Sequence, residues 1–287
     1  MNDLRVAAVV MQSGFADVGG NLEKMRQFVI QAAAQQCDII CFPEMNITGY
    51  SLKKQIKEVA EPIPGPSALE VQRMAREHEI MILAGLAEQR PKGRVAITQM
   101  VVSQNGNIKT YSKTHLSQAE QEIFTAGNEI PVFSTDGTTF GVQLCYDAHF
   151  PELSTLQALK GAEVLFMLHA SPPPESADEK RERWLRYLGA RAYDNSVYLV
   201  ACNQTGDGGA GIKFSGVALV LDPRGELLCE SSGHEERMLI AELKAGVLEK
   251  TRTARVGFFL AHRRPDLYSD LADFDMQKRS GGSGSKS

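Results

Sequence analysis

No stretch of the chain stays apolar for the roughly 20 residues a helix needs to cross a bilayer. The longest apolar runs, residues 163–170 and 197–202, are interrupted well before that length, so no transmembrane helix is expected. Residues 1–11 carry Asp3 and Arg5 inside a short strand-like run. They lack the charged-then-apolar order of a secretory signal, which predicts a cytoplasmic protein. Positive charge is not in excess either: 31 Lys+Arg face 35 Asp+Glu, a net charge of -4. No global field exists to collect the phosphates of a nucleic acid or an anionic membrane, and neither is expected as a partner. Cysteine is scarce and odd in number. Cys37, Cys41, Cys145, Cys202 and Cys229 sit mostly among apolar neighbours, which suits reduced thiols better than a disulfide framework. Cys37 and Cys41 flank a strand-like segment whose alternation points both thiols to one face. With no matching Cys/His pair nearby in sequence, no metal is expected. The Gly-rich residues 206–211 lack the strand-to-helix context and terminal Lys-Ser/Thr of a phosphate loop.

What the chain does have is core. Of its 287 residues, 43% are hydrophobic and 23% charged, a balance that excludes disordered and fibrous classes and permits one large α/β domain. Residues 4–10 read as a buried strand, and Leu22, Met25, Val29 and Ala33 recur at helical spacing. A short strand follows at 38–42, ended by Pro43, then a helix at whose start Ser67 and Glu70 form a capping box. Residues 80–86 read as a strand, and 98–103 with 108–112 flank Asn105-Gly106, a hairpin signal. The rhythm restarts at residue 139: strand 140–144, helix 152–159, strand 163–168, a helix through 184–193 and strand 197–202. A closing hairpin turns at Asp222-Pro223-Arg224-Gly225. Helices alternating with a mixed sheet imply a layered α/β architecture. Residues 279–287 read as a flexible Gly/Ser tail.

Three segments place a reactive side chain at a strand end. Glu44 leaves a buried strand just after Pro43, where partial desolvation would raise its pKa towards a general base's range. Taken alone it reads more readily as a loop-entry acid hydrogen-bonded to backbone. Lys113 ends the hairpin strand and by itself is an ordinary surface lysine. Cys145 ends a strand shortly before a helix opened by Pro151, where a nucleophile would meet free backbone N–H groups. A lone cysteine there also fits an inert core position.

Together these segments resemble the nitrilase superfamily of carbon-nitrogen hydrolases. The resemblance is carried by Phe42-Pro43-Glu44 with Thr48-Gly49-Tyr50, by Tyr111-Ser112-Lys113-Thr114-His115-Leu116, and by Cys145-Tyr146-Asp147 with Phe150-Pro151-Glu152. Phe124-Thr125-Ala126-Gly127 and Ala190-Arg191-Ala192-Tyr193-Asp194-Asn195 add to it, with Ala126 in place of a proline and Asp194 in place of a glutamate. The resemblance implies a four-layer α-β-β-α sandwich spanning residues 1–268, with 269–287 as a C-terminal extension. It implies a Glu-Lys-Cys site of Glu44, Lys113 and Cys145, and a second glutamate at Glu120, with Glu122 as its neighbouring competitor. The backbone N–H of Tyr146 would serve the oxyanion, and His149 and His169 would line the pocket, although His169 reads equally as a structural histidine.

The implied activity is a thiol-dependent amidohydrolase acting on a small amide or N-carbamoyl compound through a thioester, with no cofactor, in a homodimer. Nitrile hydrolysis by the same residues and an idle ligand-binding scaffold are the alternatives. Ala148-His149 replaces an arginine-containing pair, and Glu175, Asp178 and Glu179 cluster in an acidic segment after His169 that could lid the site. Both features predict a neutral or cationic substrate.

Overall fold

The computed structural model describes residues 1–172 and 175–272, so the Gly/Ser tail at 279–287 lies outside the described residues. Two six-stranded sheets face each other. The first has the order β14-β1-β2-β3-β4-β5, with β1 at Leu4–Val10, β2 at Ile39–Cys41, β3 at Met81–Arg90, β4 at Arg94–Val102, β5 at Ile108–Ser112 and β14 at Arg237–Leu243. The second has the order β13-β12-β9-β8-β7-β6, built from β6 (Phe133–Thr135), β7 (Thr138–Leu144), β8 (Val164–His169), β9 (Tyr198–Asn203), β12 (Gly216–Leu221) and β13 (Leu227–Gly233). A two-stranded ribbon of β10 (Gly206–Asp207) and β11 (Lys213–Phe214) stands apart.

Alternation along each strand divides the core into three. In β1, Val6, Ala8 and Val10 point inward and pack with Val142, Phe166 and Val200 of the opposite sheet. Ala7 and Val9 point outward beneath Met25 and Val29 of α1 (Val18–Ala34) and Val71 and Met74 of α2 (Pro66–Glu77). On the far side Leu165, Met167 and Leu199 are covered by Trp184 and Leu188 of α5 (Ala177–Asn195), beside α4 (Pro151–Leu159). A strand buried on both faces reads as a continuous apolar run, as β1 does. The result is the expected α-β-β-α sandwich, with a one-turn α3 (Gln118–Gln121) and a late α6 (Ala245–Thr253).

Three local expectations are corrected. Cys37 precedes β2 and packs in the outer core with Ile40, whereas Cys41 faces the space between the sheets, because the alternating segment begins only at Ile39. The start of α2 carries no capping box: Pro66 occupies the first turn, and Ser67 donates from both N–H and Oγ to the Glu61 carboxylate at 2.8 and 2.7 Å. Glu70 instead pairs with Arg26 and Arg73. The acidic segment 172–180 after His169, expected as a loop, is helical in its second half, since Ser176 caps α5 and Asp178, Glu179 and Lys180 lie in its first turn.

Candidate active site

β7, β8 and β9 run parallel, so their C-terminal ends meet at one edge of the sandwich, where side chains leave the sheet without neighbours to pair with. Register sets Leu144 beside Leu168, which places the next residues, Cys145 and His169, side by side. Cys145 opens a tight 3-10 turn with φ of 43°, a left-handed conformation that costs a non-glycine residue about 1–3 kcal/mol and lifts the side chain off the sheet.

Across the sandwich, residues 41–50 are buried throughout, and Gly49 turns at φ of 72° against the backbone of Phe15, where a side chain has no room. This buried turn delivers Glu44, whose Oε2 accepts from the Ala170 N–H at 2.9 Å and whose carbonyl accepts from Gln204 at 2.8 Å. The end of β5 delivers Lys113, and its carbonyl is held by the Gly127 N–H at 2.8 Å. Gly127 lies so close to the Ser112 carbonyl that a Cβ would collide with it, which is the structural use of the Phe124-Thr125-Ala126-Gly127 segment. The Lys113 ammonium donates to Glu44 Oε1 at 2.9 Å and to Glu120 Oε1 at 2.6 Å. Glu120 is oriented from both sides: Tyr50 donates to Oε1 at 3.1 Å, and the Ser117 N–H donates to Oε2 at 2.8 Å in the capping box of α3. Glu122 is exposed and Glu120 buried, so Glu120 is the glutamate that reaches Lys113.

Burial dominates the electrostatics. It raises the Glu44 pKa to about 7, with Lys113 opposing the shift and Glu120 adding to it. Burial alone would depress the Lys113 ammonium, but the charges of Glu44, Cys145 and Glu120 outweigh it and hold its pKa above the usual lysine value. The Cys145 thiol is pushed up to about 12 by burial and by the nearby Glu44 charge, with Lys113 pulling the other way. A thiol so placed stays protonated at neutral pH until a base takes its proton. His169 is fully buried, its ring 4.1 Å from that of Trp184, and burial together with the charges of Lys180, His149, Lys113 and Arg183 pushes its pKa well below the ordinary value. His149 is exposed at the rim and stacks on Tyr187 with centroids 4.8 Å apart, while Tyr146 stands edge-on to it.

Several residues of the site were not singled out by sequence reasoning. Asp147 is fully buried beneath the Cys145 turn and binds back to the Lys113 segment. Arg191 donates to the carbonyls of Ala148 (3.2 Å) and His149 (3.4 Å), so the Ala190–Asn195 helix motif clamps the end of the same turn. Lys180, fully buried, and Arg183 stand on α5 towards Cys145. Lys180 was hidden in a segment that reads as an acidic connector, and Arg183 just ahead of the helix read from Trp184; α5 in fact begins at Ala177. The acidic-lid expectation is corrected at this point. Glu175 is bound by Arg183, and Glu179 turns back to cap its own helix on Ser176, so neither offers a free negative charge to a substrate. Among the described residues, no group of three His, Cys, Asp or Glu side chains is placed to hold a metal, and no helix is long and apolar enough to cross a membrane.

The carbon-nitrogen hydrolase family model matches residues 5–253. Among curated relatives, the 2-oxoglutaramate amidase of Bacillus subtilis is 33% identical over 77% of this chain and 83% of its own length. The N-carbamoylputrescine amidase of Solanum lycopersicum is 29% identical over 96% of this chain and 97% of its own length. An amidase of the nitrilase superfamily from Nesterenkonia AN1 has the same fold, with a TM-score of 0.81 at 24% identity over 93% of this chain and 97% of that one. The chain therefore belongs to the carbon-nitrogen hydrolase family, and is a hydrolase of carbon–nitrogen bonds other than peptide bonds.

Proposed function

We propose that the protein hydrolyses a small amide or N-carbamoyl compound through a thioester on Cys145. The carrying observation is the ammonium of Lys113 held between Glu44 and Glu120, at 2.9 and 2.6 Å, beside a cysteine on a left-handed turn. Glu44 takes the Cys145 proton as the thiolate attacks the carbonyl carbon, forming the C–S bond and placing the electron pair on oxygen. Lys113 and the Tyr146 N–H receive that oxyanion, and their charge and dipole count for more in a buried site than in water. Collapse breaks the C–N bond, with Glu44 returning the proton to the departing ammonia or amine. A water then loses its proton to Glu44, attacks the thioester and releases acid and thiol. Glu120 holds Lys113, and His149 and His169 border the substrate.

The names of the relatives support amides and carbamoyl compounds as the substrate class. We also assign the exposed apolar surface at Tyr193 and Phe259, whose rings lie 5.3 Å apart, with the exposed Val256 three residues before Phe259, to a homodimer interface, since exposed apolar patches mark association surfaces. Incubation with a panel of amides, N-carbamoyl amines and nitriles, with ammonia detection, tests the chemistry. The expected result is release from an amide or carbamoyl substrate that disappears in Cys145→Ala. Turnover restricted to nitriles, or unchanged in Cys145→Ala, would overturn the proposal.

A further inference from the structure

Asn203 ends β9 and Gln204 follows it, and both side chains are fully buried. Gln204 crosses to the other sheet, where it donates to the Glu44 carbonyl at 2.8 Å. Asn203 stays within its own sheet. Its Oδ1 accepts from the Ser171 N–H at 2.8 Å, and its Nδ2 donates to the carbonyls of Ser171 at 3.1 Å and Ser215 at 2.8 Å. These partners fix the orientation of the amide, since a flipped one would set NH2 against an N–H and oxygen against two carbonyls.

The amide stands in for a strand. β8 ends at His169, the register partner of Asn203, and two residues later the backbone groups of Ser171 have no ladder to join. Asn203 supplies both missing partners from a side chain with the same donor and acceptor as a peptide. From the other side the buried Lys180 ammonium donates to the Ser171 carbonyl at 2.7 Å, to its hydroxyl at 3.0 Å and to the Pro172 carbonyl at 3.4 Å, which ties the same residue to α5. Ala170 thus lies between a residue fixed by the sheet and one fixed by side chains. Its N–H is aimed across the sandwich, at Glu44 Oε2, 2.9 Å away.

That bond matters because of what the other donor does. Among the described residues, the Glu44 carboxylate accepts from two donors, Lys113 on Oε1 and the Ala170 N–H on Oε2. Lys113 turns part of its charge to the oxyanion as it forms, whereas a backbone N–H in a pinned segment stays where it is. The titratable groups around the carboxyl are Lys113, Glu120, Tyr50 and Cys145, with His169 at the start of the pinned segment and Lys180 against it.

We propose that Asn203 is a positioning residue for the general base: by holding Ser171 it aims the Ala170 N–H at Glu44 Oε2 and keeps that carboxylate in line for the Cys145 proton. The inference rests on the reading of Glu44 as the base of the hydrolysis.

The test is a double-variant cycle on the full chain, read by the acid limb of kcat/KM and by the pH dependence of Cys145 alkylation. Asn203→Ala frees Ser171. Ala170→Pro deletes the N–H itself, which makes no ladder bond, and the strand conformation of His169 suits the residue before a proline. A donor to the charged form of a carboxylate lowers its pKa, so each change should move the limb from about 7 to higher pH by about half a unit. The rate constant kcat should fall about tenfold, with KM held within about twofold. Because Asn203 acts through that N–H, the double variant should shift no further than Ala170→Pro alone. Leu199→Ala, a cavity in the outer core, should cost stability and leave the limb in place. Asn203→Ser takes the place of Asn203→Ala in the cycle if the latter does not fold. Shifts that add in the double variant, or an equal shift in Leu199→Ala, overturn the inference. A limb that vanishes in Glu44→Gln yet ignores the Asn203 variant overturns the inference alone, whereas a limb that survives in Glu44→Gln overturns the base reading and this inference with it.

Discussion

Tyr111 donates its phenolic hydrogen to Asp147 Oδ2 at 2.7 Å, and this bond joins the two segments that carry the reactive groups, since Lys113 and Cys145 each lie two residues away. The Leu144 N–H shares the same oxygen at 3.0 Å, while the His115 N–H and the Thr114 hydroxyl converge on Oδ1, both at 2.9 Å. Asp147 is thus a positioning residue that fixes the turn of Cys145 against the strand end of Lys113. Asp147→Asn turns an NH2 group towards donors and should lower stability by about 2–3 kcal/mol. A displacement of the nucleophile by about 1 Å costs up to about 100-fold in rate. Tyr111→Phe removes one donor and should lose less. Denaturation midpoints measured beside kcat for both variants check the order, and full activity in Asp147→Asn would refute the positioning role.

The Glu44 carboxyl predicts a pH profile. A base must be ionised to take the thiol proton, and burial raises its pKa to about 7. The group is therefore protonated and idle below that value, and kcat/KM should fall about tenfold per pH unit on the acid side. Glu120 raises the Glu44 pKa and Lys113 lowers it, so Glu120→Gln should move the limb to lower pH, and Lys113→Met should move it to higher pH while costing about 100-fold or more in rate. In Glu44→Gln the limb should vanish along with nearly all activity. An acid limb that stays in place across all three variants would assign it to another group.

Much of this was readable from the chain because Glu44 and Cys145 each follow a short apolar strand, and the strand that ends just before Lys113 is announced by the Asn105-Gly106 hairpin turn. What escaped depends on three-dimensional closure. β14 pairs with β1 across more than two hundred residues of sequence, and its Met238 and Ile240 alternate too weakly to announce a strand that completes a sheet. The role of Asp147 is invisible because its partners come from β5 and the loop beyond it. Lys180 looks like one more charge in Asp178-Glu179-Lys180-Arg181, and only helix phase, with Trp184 four residues on, shows that it turns inward. The acidic lid failed for the same reason: local sequence counts charges but not their partners.

Thiol labelling separates an activated cysteine from a merely accessible one. Cys37, Cys41 and Cys202 are buried, and burial raises the thiols of Cys37 and Cys202. Cys229 is partly exposed and also raised. The Cys145 thiol is no more acidic than these by environment alone, so its advantage must come from proton transfer to Glu44. Limiting iodoacetamide followed by peptide mass spectrometry should modify Cys145 first at pH 8, with the preference over Cys229 lost below pH 7 and in Glu44→Gln. Labelling of Cys145 that ignores Glu44 would remove the base from the mechanism.

The surface beside α5 and α6 yields the last prediction. Phe259 lies against Tyr193 with ring centroids 5.3 Å apart, and Val256 is 80% exposed. Leaving these side chains in water forgoes about 25 cal/mol for every Å² of apolar area, a penalty that pairing of two copies would relieve. A charge introduced at the centre of such a contact would be buried without a partner, which the assembly would avoid by dissociating. Val256→Asp combined with Phe259→Asp should therefore lower the mass in sedimentation equilibrium to the 31.4 kDa of a single chain. Wild type should sediment as a multiple of that mass. The same variant should keep its helical circular dichroism, because neither side chain belongs to the buried core. A wild-type protein that is monomeric at high concentration, or a double variant that stays associated, would place the interface elsewhere.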